Sequence, residues 1–177
     1  MPDRILSAFL TRQYEEGMAL ARASDLVTLQ PVGPQPAQRY IAEFRCTGLC
    51  RTPDGAIAPM TCSEVGILFP GEYLRRIDPY QILAWLGPRN VWHPNISDRA
   101  PIICLGRLGP GTRLTDILYQ LFEIITYQRY STHDALNPGA AAWARANQER
   151  FPIDRRPLKR RVPGPTIPPD EREEAAP

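Results

Sequence analysis

The sequence has 177 residues, 43% of them hydrophobic and 23% charged, with 21 basic against 19 acidic side chains. This length fits one ordinary domain with a short appendage, since a single core usually spans roughly 100–200 residues. Acids and bases are interleaved, which argues against a nucleic-acid-binding protein. No apolar run reaches the roughly 18 residues of a membrane span, and Asp3, Arg4 and Arg12 interrupt the stretch where a signal peptide is apolar. We therefore predict a cytoplasmic protein that binds neither nucleic acid nor membranes.

The first predicted element is an amphipathic helix over residues 2–24, which is rich in Ala, Leu, Glu, Gln and Arg and has Ile5, Phe9 and Leu10 on one side. Gly17 weakens this helix pattern. The prolines in the following segment, LQPVGPQPAQ, predict an irregular connector without secondary structure.

Short β-type runs follow over residues 39–70, with a turn signal at Thr52-Pro53-Asp54-Gly55. They predict an antiparallel meander of three strands, RYIAEFRC, AIAPMTC and EVGILF. Residues 80–86 (YQILAWL) form an apolar run that fits either a fourth strand or a buried helical turn.

Residues 87–112 are irregular and contain several prolines and glycines, but they are too apolar for a disordered segment. Long irregular stretches inside compact domains are often functional, so we expect the site here. A strongly amphipathic helix is predicted next, over residues 114–127, with Thr112 as N-cap. Asn137-Pro138 predicts an N-cap and first residue of a further helix through AAAWARANQER.

The composition changes after Phe151, where a basic block and then an acidic block follow without apolar periodicity. We predict a domain over residues 1–151 and a proline-rich, charged, flexible tail over residues 152–177 that contributes nothing to a core.

The four cysteines are too few for a disulfide scaffold in a chain of this length. Cys46, Cys50 and Cys62 lie near one another in sequence, but a zinc site would need a fourth ligand and tighter pairing. The preferred interpretation is that these three are small buried hydrophobic residues on strands. No metal or cofactor is expected.

Cys104 stands in a different context. Trp92-His93-Pro94-Asn95-Ile96 is followed by Ile103-Cys104-Leu105, with eight residues between Asn95 and Cys104, and later by Asp134-Ala135-Leu136-Asn137-Pro138. Together with Phe69-Pro70-Gly71-Glu72-Tyr73, this series resembles the ubiquitin-conjugating enzymes over about residues 3–150. The resemblance implies an α+β fold with an N-terminal helix, an antiparallel meander sheet, an irregular active-site loop and two or more C-terminal helices.

The resemblance also implies roles for individual residues. Cys104 is the expected nucleophile, which takes a ubiquitin-like protein as a thioester from an ATP-dependent activating enzyme and passes it to a lysine of a protein target. Asn95 is expected to steady the oxyanion or to hold the site loop in shape, and Asp134 to guide and deprotonate the attacking amine. His93 and Pro94 are expected to be structural, and His133 and Tyr130 to line the opening through which the amine reaches Cys104.

Some segments differ from the family pattern. The intervals from Phe69 to His93 and from Asn95 to Cys104 are longer than in the common members of the family. Residues 105–112 also differ from the family segment that usually helps to dock ligases. These departures suggest a divergent, bacterial member, by analogy one from an antiphage conjugation system.

Two other functions remain open from the residues alone. One is a non-catalytic module that binds a ubiquitin-like protein on the same fold, and the other is a Cys-His hydrolase using Cys104 and His93. Lys159 is the sole lysine among 21 basic residues. Codon bias is the favoured explanation, and avoidance of self-modification by an activated acyl group is the alternative.

Overall fold

The computed structural model describes residues 3–106 and 108–159. Its helices and strands follow one another along the chain as α1 (Arg4–Arg22), β1 (Val27–Val32), β2 (Arg39–Phe44), β3 (Gly48–Arg51), β4 (Ile57–Met60), β5 (Ser63–Leu68), α2 (Pro79–Ile82), β6 (Leu83–Gly87), α3 (Leu114–Ile125), α4 (Pro138–Ala146) and a 3-10 turn (Gln148–Arg150). This order confirms the predicted α+β class. No helix in the described ranges combines the length and the apolar character that crossing a membrane requires.

The main sheet is antiparallel, with strand order β1-β2-β5-β6. The second predicted strand does not join it, because β4 pairs with β3 in a separate two-stranded hairpin whose register matches Gly48 with Met60. The run at residues 80–86 satisfies both alternatives in turn, since α2 ends at Ile82 and β6 continues directly from Leu83. The sequence pattern located these strands but not their pairing.

The prediction of an irregular connector was wrong for its first part. Residues 27–32 form β1, which pairs with β2 and sets Pro31 opposite Tyr40. Proline lacks the N–H that a central strand would use, but an edge strand has one unpaired side and tolerates it. Alternate residues of β1 face the core, where Val27 and Leu29 are buried.

Helix α1 begins after Asp3, whose carboxylate accepts hydrogen bonds from the backbone N–H groups of Ile5 and Leu6. Its buried face differs from the predicted one, because Ile5 is 74% exposed whereas Leu6 and Leu10 are in the core. Gly17 lies where α1 packs against α3. A Cβ there would lie 2.7 Å from Leu114 Cδ2, so the absence of a side chain permits the close approach.

Helix α3 supplies the centre of the core, where seven of its residues are buried. Its N-cap is Arg113, and Thr112 does not cap it as predicted: the Thr112 hydroxyl instead bonds Gly109 within the preceding turn. Phe69 and Tyr73 are also fully buried, with ring centroids 4.7 Å apart, and the Tyr73 hydroxyl donates to the Thr112 carbonyl. The Phe-Pro-x-Glu-Tyr segment therefore has a packing role.

The expectation that residues beyond 151 contribute nothing to the core is wrong for residues 152–158. Leu158 is 2% exposed within the main core, and its carbonyl accepts a hydrogen bond from the Ser24 hydroxyl. Asp154 is also buried and bonds the Thr47 N–H and the Arg156 guanidinium. The guanidinium holds the pKa of Asp154 well below its usual range. The remainder of the predicted tail, residues 160–177, lies outside the described residues.

Candidate active site around Cys104

Cys104 is held opposite Asn95 by a short antiparallel arrangement. Ile96 and Ile103 form an isolated β-bridge, and the Cys104 N–H donates to the Asn95 carbonyl at 2.8 Å. Within the loop between them, the Ser97 N–H donates to the Ile102 carbonyl. The bridge brings Asn95 and Cys104 together although eight residues separate them in sequence.

The Asn95 side chain links three segments of backbone. Its Nδ2 donates to the Cys104 carbonyl at 3.0 Å, and its Oδ1 accepts from the Ser131 N–H at 2.9 Å. Within the described residues, only one of the two Nδ2 hydrogens has an acceptor. Asn95 therefore fixes the cysteine segment and retains one amide N–H for a further partner.

His93 lies beneath this segment and is fully buried. Its Nδ1 accepts the Asn95 N–H at 3.0 Å, and its ring packs 4.3 Å from that of Tyr127. Burial lowers the pKa of His93 to about 3, so the imidazole is neutral near pH 7. A Cys-His pair needs the imidazole in hydrogen-bond contact with the thiol. His93 does not provide it, because its acceptor nitrogen is occupied by the Asn95 backbone.

The loop over residues 131–136 is anchored at both ends to the segment of residues 93–95. Ser131 is bonded by Asn95, and at the other end the Asn137 N–H donates to the Pro94 carbonyl at 3.3 Å. Asn137 also caps α4 as predicted, since its Oδ1 accepts from the Ala140 N–H. Pro94 is thus buried between the two parts of the site.

Asp134 and His133 lie in the middle of this anchored loop and are both exposed. Asp134 adopts φ = 51°, a left-handed conformation that aspartate tolerates better than most residues. The His133 carbonyl accepts from the Ser131 hydroxyl at 3.0 Å. The two side chains are consequently presented outward from a loop with fixed ends.

One cleft of about 190 Å³ is lined by Tyr130 and by five of the six residues predicted for the site, all but the buried His93. Cys104 is partly exposed there, and in the described part of the chain no group hydrogen-bonds its thiol. On its other side, Cys104 borders a smaller apolar depression that includes Tyr80, Leu83 and Leu108. Cys104 therefore lies between two depressions of the surface.

The other three cysteines have different environments, and the prediction of three buried thiols holds for Cys46 alone. Cys50 is half-buried and Cys62 is exposed. Burial raises the pKa of Cys46 to about 12, and partial desolvation together with the carboxylate of Glu43 raises the pKa of Cys62. In residues 3–106 and 108–159, no three side chains of ligand type lie close enough together to hold a metal ion.

Two residues of the site were missed by sequence reasoning. Tyr127 donates its hydroxyl to the Trp92 carbonyl, and Arg129 donates to the Leu105 carbonyl at 2.8 Å. Both follow α3 in a stretch without a motif, so no signal in the sequence distinguishes them. Their importance arises from backbone contacts that only the fold creates.

No protein-family model matches this chain, and no curated protein matches it either. Among solved structures, the chain is similar to the E2 domain of a Toxoplasma gondii ubiquitin conjugating enzyme, with a TM-score of 0.50 and 20% identity over 80% of this chain and 90% of that one. It is also similar to S. cerevisiae Ubc12, with a TM-score of 0.50 and 17% identity over 85% of this chain and 86% of that one. Similarity at these identities establishes architecture and not activity. The chain therefore has the fold of the ubiquitin-conjugating enzymes.

Proposed function

We propose that this chain is a transferase that accepts a ubiquitin-like protein from an ATP-dependent activating enzyme as a thioester on Cys104 and transfers it to a lysine of a protein target. The observation that carries the proposal is a partly exposed Cys104 whose backbone is fixed by Asn95, in a cleft that also contains Asp134. A thioester carrier needs an accessible thiol on a rigid support, near groups that stabilise an oxyanion and receive a proton.

The proposed reaction has two acyl transfers. In the first, the Cys104 thiolate attacks the thioester carbonyl on the activating enzyme, and the thiolate of that enzyme leaves. In the second, the target amine attacks the Cys104 thioester, the tetrahedral intermediate collapses, and the Cys104 thiolate leaves as an amide bond forms. The amine proton passes to the Asp134 carboxylate, directly or through water. The second Nδ2 hydrogen of Asn95 is the proposed donor to the intermediate oxygen.

The location and biological setting belong to the same proposal. We place the protein in the cytoplasm, as a component of a bacterial conjugation system directed against phage, and this step rests on analogy with the motif family. The geometry opposes a hydrolase that uses His93 as base, because that ring is buried and its Nδ1 is bonded.

The test is a non-reducing gel of the protein mixed with ATP, a ubiquitin-like protein and the activating enzyme of that ubiquitin-like protein. We expect a shifted band that thiol reductant removes and that Cys104→Ala abolishes. Cys104→Ser is expected to give a band that resists reductant, since an oxygen ester replaces the thioester. Cys62→Ala removes an exposed thiol outside the cleft and serves as the matched control, with the shift retained.

A chain that binds the ubiquitin-like protein but shows no shift with any of these variants would contradict the proposal. That result would favour the non-catalytic binding module. A shift retained in Cys104→Ala and lost in Cys62→Ala would place the thioester on Cys62 and would also contradict the proposal.

A further inference from the structure

The backbone that follows Cys104 is held by a side chain outside every motif. Arg129 Nη2 donates to the Leu105 carbonyl at 2.8 Å, and its Nη1 lies 3.4 Å from Gln120 Oε1 on α3. The Arg129 backbone N–H also donates to the Glu123 carbonyl at 3.0 Å. The guanidinium is therefore supported from the end of α3 and extends to the residue next to the cysteine.

Gly106 leaves room for this contact. It adopts φ = 85°, a left-handed conformation that favours glycine, and a Cβ at this position would lie 2.9 Å from Arg129 Nη2. A side chain at residue 106 would therefore displace the guanidinium. The glycine and the arginine form one local arrangement.

Asn95 and Arg129 act on consecutive carbonyl groups. Asn95 holds the carbonyl of Cys104 and Arg129 holds that of Leu105, and both donors connect the cysteine segment to residues 129–131. Leu105 itself is 4% exposed, which fixes the segment from the core side. Cys104 is thus bounded by backbone contacts on both sides, whereas its thiol remains unbonded within the described residues.

We propose that Arg129 is a positioning residue, which acts through the Leu105 carbonyl to hold the Cys104 thioester in line with Asn95 and Asp134. This proposal rests on the transferase function argued above. A guanidinium suits the role because its N–H groups are fixed in one plane and can bond two acceptors at once. Misplacement of a reacting group by about 1 Å can cost on the order of a hundredfold in rate, so loss of this contact would slow aminolysis.

The experiment measures single-turnover discharge of the loaded thioester onto free lysine. We expect Arg129→Met, which keeps the aliphatic stem and removes every donor, to lower kcat about tenfold with the KM for lysine unchanged and loading still observed. Arg129→Lys restores one donor and is expected to recover most of kcat. The new lysine can itself be conjugated, and such a product resists reductant and is counted separately. Arg150→Met is the matched control, because Arg150 lies over Trp143 and away from the cleft.

Gly106→Ala tests the same contact from the other side, and we expect a similar loss of kcat. Gly111→Ala is its matched control, since Gly111 has a comparable φ of 77° but has room for a side chain. A Cβ at this position would lie 4.0 Å from its nearest neighbour, Leu74 Cδ2. The double variant of Arg129→Met and Gly106→Ala is expected to lose less than the product of the two single effects, because both disrupt one contact. Losses that multiply fully, or a kcat unchanged in Arg129→Met, would overturn the proposal.

Amide hydrogen exchange separates this proposal from the proposed function. We expect Arg129→Met to speed exchange at the Cys104 N–H, which is bonded to the Asn95 carbonyl, about tenfold or more, with exchange in β2 and β5 unchanged. This readout needs no ubiquitin-like protein, so it decides the positioning role even if the wild-type chain forms no thioester. Unchanged exchange at Cys104 would overturn the role, and faster exchange with unchanged discharge would reduce it to a purely structural contact.

Discussion

Residues 93–96 and the loop of residues 131–136 lie beside Cys104 and are hydrogen-bonded to each other, but the first segment is buried and the second is exposed or half-buried. In the buried segment, the His93 ring and the Asn95 side chain are used for internal hydrogen bonds. In the loop, the backbone ends are bonded while the His133 and Asp134 side chains project outward. Under the proposed function, the buried segment would set the position of the thiol and the loop would supply the group that receives the proton of the amine.

The largest effect is expected where the two segments are joined. Asn95→Ala removes the donor to the Cys104 carbonyl and the acceptor for Ser131. We expect discharge of the thioester to fall about a thousandfold, which is the upper range for loss of one oxyanion-stabilising donor. Single-turnover discharge onto free lysine measures it. Asn90→Ala, which removes the amide that donates to the exposed Arg51 carbonyl, is the control. Equal losses in both variants would contradict the role given to the buried segment.

In the exposed loop, the effect should concern chemistry and not stability. Asp134→Asn keeps the size and the left-handed backbone preference but removes the proton acceptor. We expect discharge to slow about a hundredfold, as general-base catalysis commonly contributes, with the unfolding temperature unchanged. Thermal unfolding alongside the discharge assay checks both parts. A comparable loss in Asp98→Asn, an exposed carboxylate outside the cleft, would argue that bulk charge is responsible.

In the buried segment, pH should report on stability. The folded-state pKa of His93 is about 3, below its ordinary value of 6.5, so the unfolded chain binds the proton more readily. The stabilisation is fully present well above pH 6.5 and is lost as the pH falls from there towards 3. Between pH 6.5 and 4.5 we expect the free energy of unfolding to drop by about 2 kcal/mol.

Denaturant unfolding over pH 6.5–4.5 measures this change with little contribution from Asp154, whose lowered pKa acts mainly as the pH falls below about 4.5. His93→Gln should flatten the profile, while the exposed His133→Gln should leave it unchanged. If His133→Gln flattened the profile instead, His133 and not His93 would be the histidine whose protonation destabilises the fold.

The smallest effect is expected at the junction between the loop and α4. Asn137→Ala removes the side-chain cap to the Ala140 N–H but keeps the backbone bond to Pro94. We expect a loss of about 1 kcal/mol in unfolding free energy, the usual value for a cap, and a change in discharge below about threefold. Chemical denaturation and the discharge assay test these together. A much larger loss of discharge would mean that the cap, and not the backbone bond, orients the loop.

The sequence pattern was sufficient for the elements that depend on local physics. The apolar stripe of α3 and the Asn137-Pro138 start of α4 were predicted because periodicity and capping act within a few residues. The edge strand β1 was not, because the tolerance of Pro31 depends on a strand having no neighbour on one side. Strand pairing in general depends on contacts that are distant in sequence.

By itself, the sequence determined the fold class and predicted Asn95, Cys104 and Asp134 as site residues, because the motifs that contain them resemble those of a known family. The tertiary structure alone decided how these residues divide between a buried support and an exposed loop. It also decided that Arg129, which belongs to no motif, holds the carbonyl next to the cysteine. Burial and hydrogen-bond partners depend on the whole packed chain, and residue order does not encode them locally.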